Sequence, residues 1–211
     1  LVHNEQIVHE YLQWAMCGSP RPKGKCQLYA VEGGTAAMCY IFKSMKTNRL
    51  LNAGDTIALG TPIFTPYLEM PHLEDYDLKI VNIQSTQENR WQFDDAELDK
   101  LLDPKIKAFF LVNPGNPSAV ALSAKTIAKI GAIIKKRPDL ILLTDDVYGT
   151  FVPGFRSLLG AYPYNTIGVY SYSKYFGCTG WRLGVIAVQE DNLFDKLSAK
   201  RAEPILRKLD E

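Results

Sequence analysis

A continuous apolar run, Ala108-Phe-Phe-Leu-Val112, and a second buried-strand pattern, Leu140-Ile-Leu-Leu-Thr144, bracket a segment with helical periodicity. A strand that is apolar at every position has to be covered on both faces, which is the situation in a parallel sheet flanked by helices. The intervening segment starts at Leu122-Ser123, with Ser123 able to cap it, and runs through Lys136. Ile127, Ile130 and Ile134 recur at helical spacing, and basic residues fill the last turn, where they complement the helix dipole. Strand, helix and strand in this order make a βαβ unit.

The same alternation extends along the chain. Gln27 to Val31, Thr56 to Leu59, Leu78 to Ile83, Thr166 to Tyr170 and Leu183 to Val188 read as further strands. Ala36 to Met45 reads as a helix, Asn52-Ala-Gly54-Asp55 as a turn, and Thr61-Pro62 as the start of a helix running toward His72. Asp94 to Leu102 reads as a helix with Asp94 as N-cap and Glu97 closing a capping box. The predicted fold class is α/β: a three-layer αβα arrangement around a mostly parallel sheet. In such sheets ligands sit beyond the carboxyl ends of the strands, so the residues just after each strand are the candidates for function.

Composition narrows the function classes. Twenty-four basic and 23 acidic residues leave a net charge of +1, which argues against a strongly basic nucleic-acid footprint. No apolar run approaches 18 residues, so no membrane span is expected, and Leu1 to Glu10 does not read as a secretory signal. Cys17, Cys26, Cys39 and Cys178 form no C-x-x-C pair and have no histidine at metal-ligand spacing. They are read as reduced thiols buried as small hydrophobes in a cytoplasmic protein, with no metal site. His3, His9 and His72 are scattered and carry no pattern.

Chemistry gathers at the strand ends. Gly33-Gly34-Thr35 opens a helix, where free N–H groups and a hydroxyl could hold a phosphate, although paired glycines also serve a tight turn. Asn113-Pro-Gly-Asn116-Pro117 follows the next central strand, either as a plain turn or as a rigid loop presenting the Asn116 amide. Asp145-Asp146 and Tyr148 follow another, as surface turn or as costly buried carboxylates. Ser171-Tyr-Ser173-Lys174 follows the strand Thr166 to Tyr170, with Arg182 eight residues on. A lysine there is either solvated or partly desolvated, and a desolvated one becomes a nucleophilic amine able to form a Schiff base. Arg182 could clamp a phosphate with two nitrogens. A phosphate cradle, an arginine, a Schiff-base lysine and an aspartate for a pyridinium nitrogen are the set that pyridoxal phosphate requires.

In this order the motifs resemble the fold-type-I pyridoxal-phosphate enzymes of the aspartate aminotransferase superfamily. Ser171-Tyr-Ser-Lys174 with Gly180-Trp-Arg182-Leu-Gly184 looks like its lysine signature, Asn113 to Pro117 like its asparagine loop, and Asp145-Asp-Val-Tyr148 like its Asp-x-x-Tyr element. Val31 to Tyr40, Gly60 to Tyr67, Thr144 to Phe155 and Lys174 to Trp181 most resemble its aspartate 4-decarboxylase branch, whose members also transaminate aspartate. The resemblance implies catalytic roles for Lys174, Tyr148 and Asp145. Lys174 holds the cofactor and carries protons, Asp145 pairs with the pyridine nitrogen, and Asn116 and Tyr148 bond the ring's phenolic oxygen. Gly33, Gly34, Thr35, Ser171, Ser173 and Arg182 hold the phosphate, and Phe64 stacks on the ring. Ser118-Ala119 stands where many aminotransferases have Thr-Gly, a departure in the loop.

The resemblance divides the chain into an N-terminal segment (1–24), a cofactor-binding large domain (25–190) and the start of a C-terminal region (191–211). It implies a small domain absent here, together with the arginine that binds the substrate's α-carboxylate. It also implies an amino-acid or 2-oxo-acid substrate, aspartate favoured, and a homodimer or larger homo-oligomer, with no nucleic acid or membrane partner. The alternatives are an aminotransferase of other specificity and a cofactor-binding fragment that cannot turn over. A doubly wound nucleotide binder using Gly33-Gly34 would lack the G-x-G-x-x-G fingerprint.

Overall fold

The computed structural model describes residue 11 and residues 24–72 and 76–199. Cys17, His3, His9 and the charged tail from Arg201 lie outside the described residues.

Seven strands form one sheet: β1 (Cys26–Val31), β2 (Thr56–Thr61), β3 (Lys79–Gln84), β4 (Ile106–Val112), β5 (Ile141–Asp145), β6 (Thr166–Ser171) and β7 (Gly184–Gln189), in the order β1-β7-β6-β5-β4-β2-β3. The pairs among β2, β3, β4, β5 and β6 are parallel, and β7 runs antiparallel to both β6 and β1. The mostly parallel α/β architecture therefore stands. The reversal of β7 places its first residues among the carboxyl ends of the other strands: Gly184 is in register with Ser171 of β6 and Val31 of β1.

Helices α1 (Gly34–Thr47), α2 (Thr65–Glu69), α3 (Asp95–Asp99), α4 (Ala124–Lys136), α5 (Leu158–Ala161) and α6 (Leu193–Ala199) complete the layers. The period-2 alternation of each strand divides the core. Ala108 and Phe110 join Ile141 and Leu143 beneath Met38, Phe42 and Met45 of α1. Phe109 and Leu111 join Leu142 on the other face against Ile130 and Ile133 of α4. Phe109 and Phe110 are both fully buried, and burying each stabilises the fold by about 1.5–3 kcal/mol. β5 and β6 are buried at every position, as the apolar runs require.

Three local expectations change. The helix expected from Thr61-Pro62 starts at Thr65, because β2 continues pairing with β3 through Thr61 and Pro66 sits in the helix's first turn, where proline is favoured. Helix α3 is followed by a 3-10 turn, and its capping box does not form. The Asp94 side chain instead accepts from the Asn89 amide, and Glu97 accepts from the Gln84 backbone N–H at 2.7 Å and pairs with Lys100. Ser123 does cap α4, accepting from the Thr126 N–H at 3.1 Å. The basic end of α4 is followed by Arg137, whose buried guanidinium donates to the carbonyls of Leu101, Asp103 and Ile106 and pairs with Asp139, tying α4 to the entry of β4. Of the thiols, Cys26 is buried against Gln189, but Cys39 is exposed and Cys178 half-buried, so burial does not explain all of them. Among the described residues no helix is long and apolar enough to cross a membrane, and no His, Cys, Asp and Glu cluster could hold a metal ion.

Candidate active site at the strand carboxyl ends

The strand ends enclose a cavity of about 150 Å³ lined by Gly34, Thr35, Phe64, Asn116, Asp145, Tyr148, Ser171, Ser173, Lys174 and Arg182, together with Tyr67, Val112, Val147 and Thr179. All the residues read from the sequence as site candidates meet here except Gly33, which sits directly behind. A larger opening of about 720 Å³ adjoins it and shares Asn116, Tyr148, Ser173, Lys174 and Thr179. Lys174 thus stands where the two spaces meet.

Side-chain alternation explains which aspartate faces the cavity. Ile141, Leu143 and Asp145 point to the α1 side, and Leu142 to the α4 side. Asp145 is 5% exposed: its Oδ2 accepts from the Tyr67 hydroxyl at 2.7 Å and its Oδ1 from the Val147 N–H at 3.1 Å. Burial pushes its carboxyl up, while the Tyr67 hydroxyl, the Val147 N–H and Lys174 pull it down. The Asn116 amide donates to the Tyr148 hydroxyl at 3.4 Å, and burial raises the Tyr148 phenol.

Asp146 is fully buried and accepts from the Thr144 hydroxyl at 2.6 Å. Burial pushes its carboxyl from 3.8 up to about 7. Below about pH 4 both folded and unfolded chains hold this proton. Between about 4 and 7 only the folded chain holds it, so stability falls as pH rises through that window and levels off above it, by about 1.4 kcal/mol per pH unit. Asp146→Asn removes this dependence. Urea unfolding is expected to show the variant gaining about 3 kcal/mol on the parent between pH 5 and pH 7. A difference constant across those pH values would refute the assignment.

The cavity also carries groups suited to an anion. Helix α1 begins at Gly34 with Gly33 in the cap position, and no side chain caps it, so its first N–H groups are free of side-chain partners. Arg182 precedes β7, and the reversal of that strand brings it here. Its Nη2 donates to the Glu32 carbonyl at 3.1 Å and its Nη1 to the Thr179 carbonyl at 3.0 Å and to Ser173 Oγ at 3.4 Å. Ser171 Oγ donates to Ser173 Oγ at 3.0 Å. Gly33 has φ 94°, and a Cβ there would fall inside the Arg182 guanidinium. A Cβ on Gly184 would lie 2.8 Å from the Gly33 backbone. Both glycines are therefore required by this packing.

Lys174 differs from the desolvated amine considered above: it is exposed, as are Thr35 and Arg182. The buried members are Asp145, Ser171 and Ser173. Sequence reasoning missed Tyr67, Val112, Val147 and Thr179. Tyr67 was within reach, three residues after Phe64 on the same turn.

A family model described as aminotransferase class I and II matches residues 27–206. The chain is 52% identical over all 211 residues to a bifunctional aspartate aminotransferase and L-aspartate beta-decarboxylase from Pseudomonas sp., covering 40% of that protein. It is 32% identical over 149 residues, 68% of its own length and 37% of the relative's, to an aspartate aminotransferase from Pyrococcus abyssi. It thus spans well under half the length of these curated relatives. An aromatic aminotransferase from Pyrococcus horikoshii superposes with a TM-score of 0.74 at 24% identity, over 94% of this chain and 52% of that one, which shows the fold. With the match running from β1 past β7, the chain belongs to the class I and II aminotransferases, a family of enzymes that use pyridoxal phosphate.

Proposed function

We propose that the protein carrying this chain uses pyridoxal phosphate to convert L-aspartate into L-alanine and CO2, and that it also transaminates aspartate. The observation that carries the cofactor part is the set of groups that line the cavity together. One cavity holds a buried carboxylate and a set of anion-binding donors, with Lys174 shared with the larger opening. The identity of 52% along the whole chain to a bifunctional aspartate enzyme supports the choice of aspartate.

The residues present fit the group. Gly33 and Gly184 let the Arg182 guanidinium and the Gly33 backbone pack closely beside the cavity, and the α1 N-terminus, Arg182, Ser171 and Ser173 supply donors suited to a phosphate. Asp145 suits a protonated ring nitrogen, Asn116 and Tyr148 suit a phenolic oxygen, and Phe64, 36% exposed, offers a ring to stack against. Once bound, the cofactor supplies an aldehyde conjugated to a ring that can accept an electron pair.

The chain's own side chains do the rest. Asp145 would accept a hydrogen bond from the protonated ring nitrogen and so favour the electron-poor form of the ring. Lys174 Nζ would be the amine that holds the cofactor and the base that moves the substrate's Cα proton. Tyr148 and Asn116 fix the ring in its plane. Among the described residues lining the two spaces, Lys174 and Arg182 carry the positive charge, and a bound cofactor would occupy both. The substrate's carboxylates are therefore left to groups outside the described residues. We also take the protein to be a cytoplasmic homo-oligomer, for which the exposed aromatic rim of Phe151, Tyr175 and Phe176 gives support.

The test is product analysis of the intact protein with pyridoxal phosphate and L-aspartate. Alanine and CO2 are expected in equal amounts without any 2-oxo acid, with oxaloacetate and glutamate appearing when 2-oxoglutarate is added. Oxaloacetate and glutamate alone would reduce the function to transamination.

A further inference from the structure

Tyr67 is the largest fully buried polar side chain at the site, and none of the motifs assigns it a task. It is 1% exposed, and its ring is held by Phe110, at 4.8 Å between centroids, and by Phe64, at 5.3 Å and 89°. Its backbone N–H donates to the Phe64 carbonyl at 2.8 Å. Its hydroxyl donates to Asp145 Oδ2 at 2.7 Å, while Val147 N–H occupies Oδ1. Each carboxylate oxygen thus has one donor, and the group cannot rotate without losing both.

From this geometry we propose that Tyr67 is a positioning residue for the cofactor: its hydroxyl sets the orientation and charge of Asp145 toward the ring nitrogen, and one turn of α2 links that carboxylate to the Phe64 ring. The proposal rests on the pyridoxal-phosphate reading above. Hydrogen bonds to a charged acceptor favour the charged form, and this one opposes the burial that would otherwise protonate Asp145. Burial drives the Tyr67 phenol far above its ordinary range, so it stays a donor at any working pH. The other titratable groups facing Asp145 are Tyr148 and Asp146 from its own strand and loop, and Lys174 from the loop after β6. The nearest part of α1 is the backbone of Gly34, where a Cβ would meet Asp145 Oδ2 at 3.7 Å.

Tyr67→Phe deletes the hydroxyl and keeps the ring that packs on Phe64 and Phe110. In the intact protein, equilibrium titration is expected to show pyridoxal phosphate binding weakened about ten- to a hundredfold. The midpoint of its loss on the acid side should shift to higher pH, because Asp145 is protonated more easily. Inorganic phosphate, which engages only the cradle, should bind as before. In an Asp145→Asn background the same substitution should add little, since Tyr67 acts through Asp145. Unchanged cofactor affinity and midpoint in Tyr67→Phe would overturn the proposal. So would an equal weakening of phosphate, which marks a merely structural role, or additive effects in the double variant. Failure of the parent protein to bind pyridoxal phosphate would overturn the cofactor reading as well, and so is a separate outcome.

Discussion

Lys174→Ala is expected to lower turnover of L-aspartate by about 10⁴-fold or more while the protein stays folded. Two effects combine. The amine is the covalent anchor for the cofactor, and it is also the base that carries the substrate's Cα proton, a role that by itself contributes about 10²–10⁴-fold. Lys174 sits between the small cavity and the larger opening, so it can reach groups in both. The side chain is exposed, and its loss leaves no buried partner unsatisfied, so the melting temperature should move little. Lys174→Arg keeps the charge but supplies a guanidinium that is neither nucleophilic nor able to give up its proton, and it should be equally inactive. Retention of more than about a tenth of the parent rate by either variant would remove Lys174 from the chemistry.

Asp145→Ala is expected to reduce kcat/KM by roughly 10²–10³-fold. Removing one partner of a buried charged pair costs about 3–5 kcal/mol, because the other is left uncompensated. Here the Tyr67 hydroxyl and the Val147 N–H also lose their acceptor. The neighbour provides the control. Asp146 points away from the cavity, with Thr144, and Asp146→Asn should leave kcat/KM within a few-fold while changing the pH dependence of stability. Steady-state kinetics on the two variants separates a carboxylate that serves the site from one that only packs beneath it. Equal losses in both would contradict the assignment of the cavity-facing role to Asp145.

The centre of the sheet was legible because β4 and β5 are apolar at nearly every position, and Ala108 to Val112 has few other ways to be buried. The strand-end rule then located most of the site, since Asp145, Ser171 and Lys174 follow directly from where β5 and β6 stop. What was not legible depended on contacts distant in sequence. The direction of β7 is fixed by its two neighbours, and only that reversal brings Arg182 back to Gly33. The Tyr67 hydroxyl reaches a carboxylate 78 residues away, which no local pattern announces. Asp94 and Glu97 match a capping box by spacing, yet Asn89 and Gln84 compete for both side chains and win. The start of α2 was misplaced because Pro62 and Pro66 are both plausible first-turn residues, and strand pairing through Thr61 decides between them.

The most direct test is borohydride reduction of the intact protein incubated with pyridoxal phosphate, followed by peptide mapping. The account predicts one stable adduct, carried by the peptide that contains Lys174, with its yield suppressed by excess inorganic phosphate competing for the Arg182 cradle. An adduct on another lysine with Lys174 unmodified, or no adduct at a saturating cofactor concentration, would contradict it.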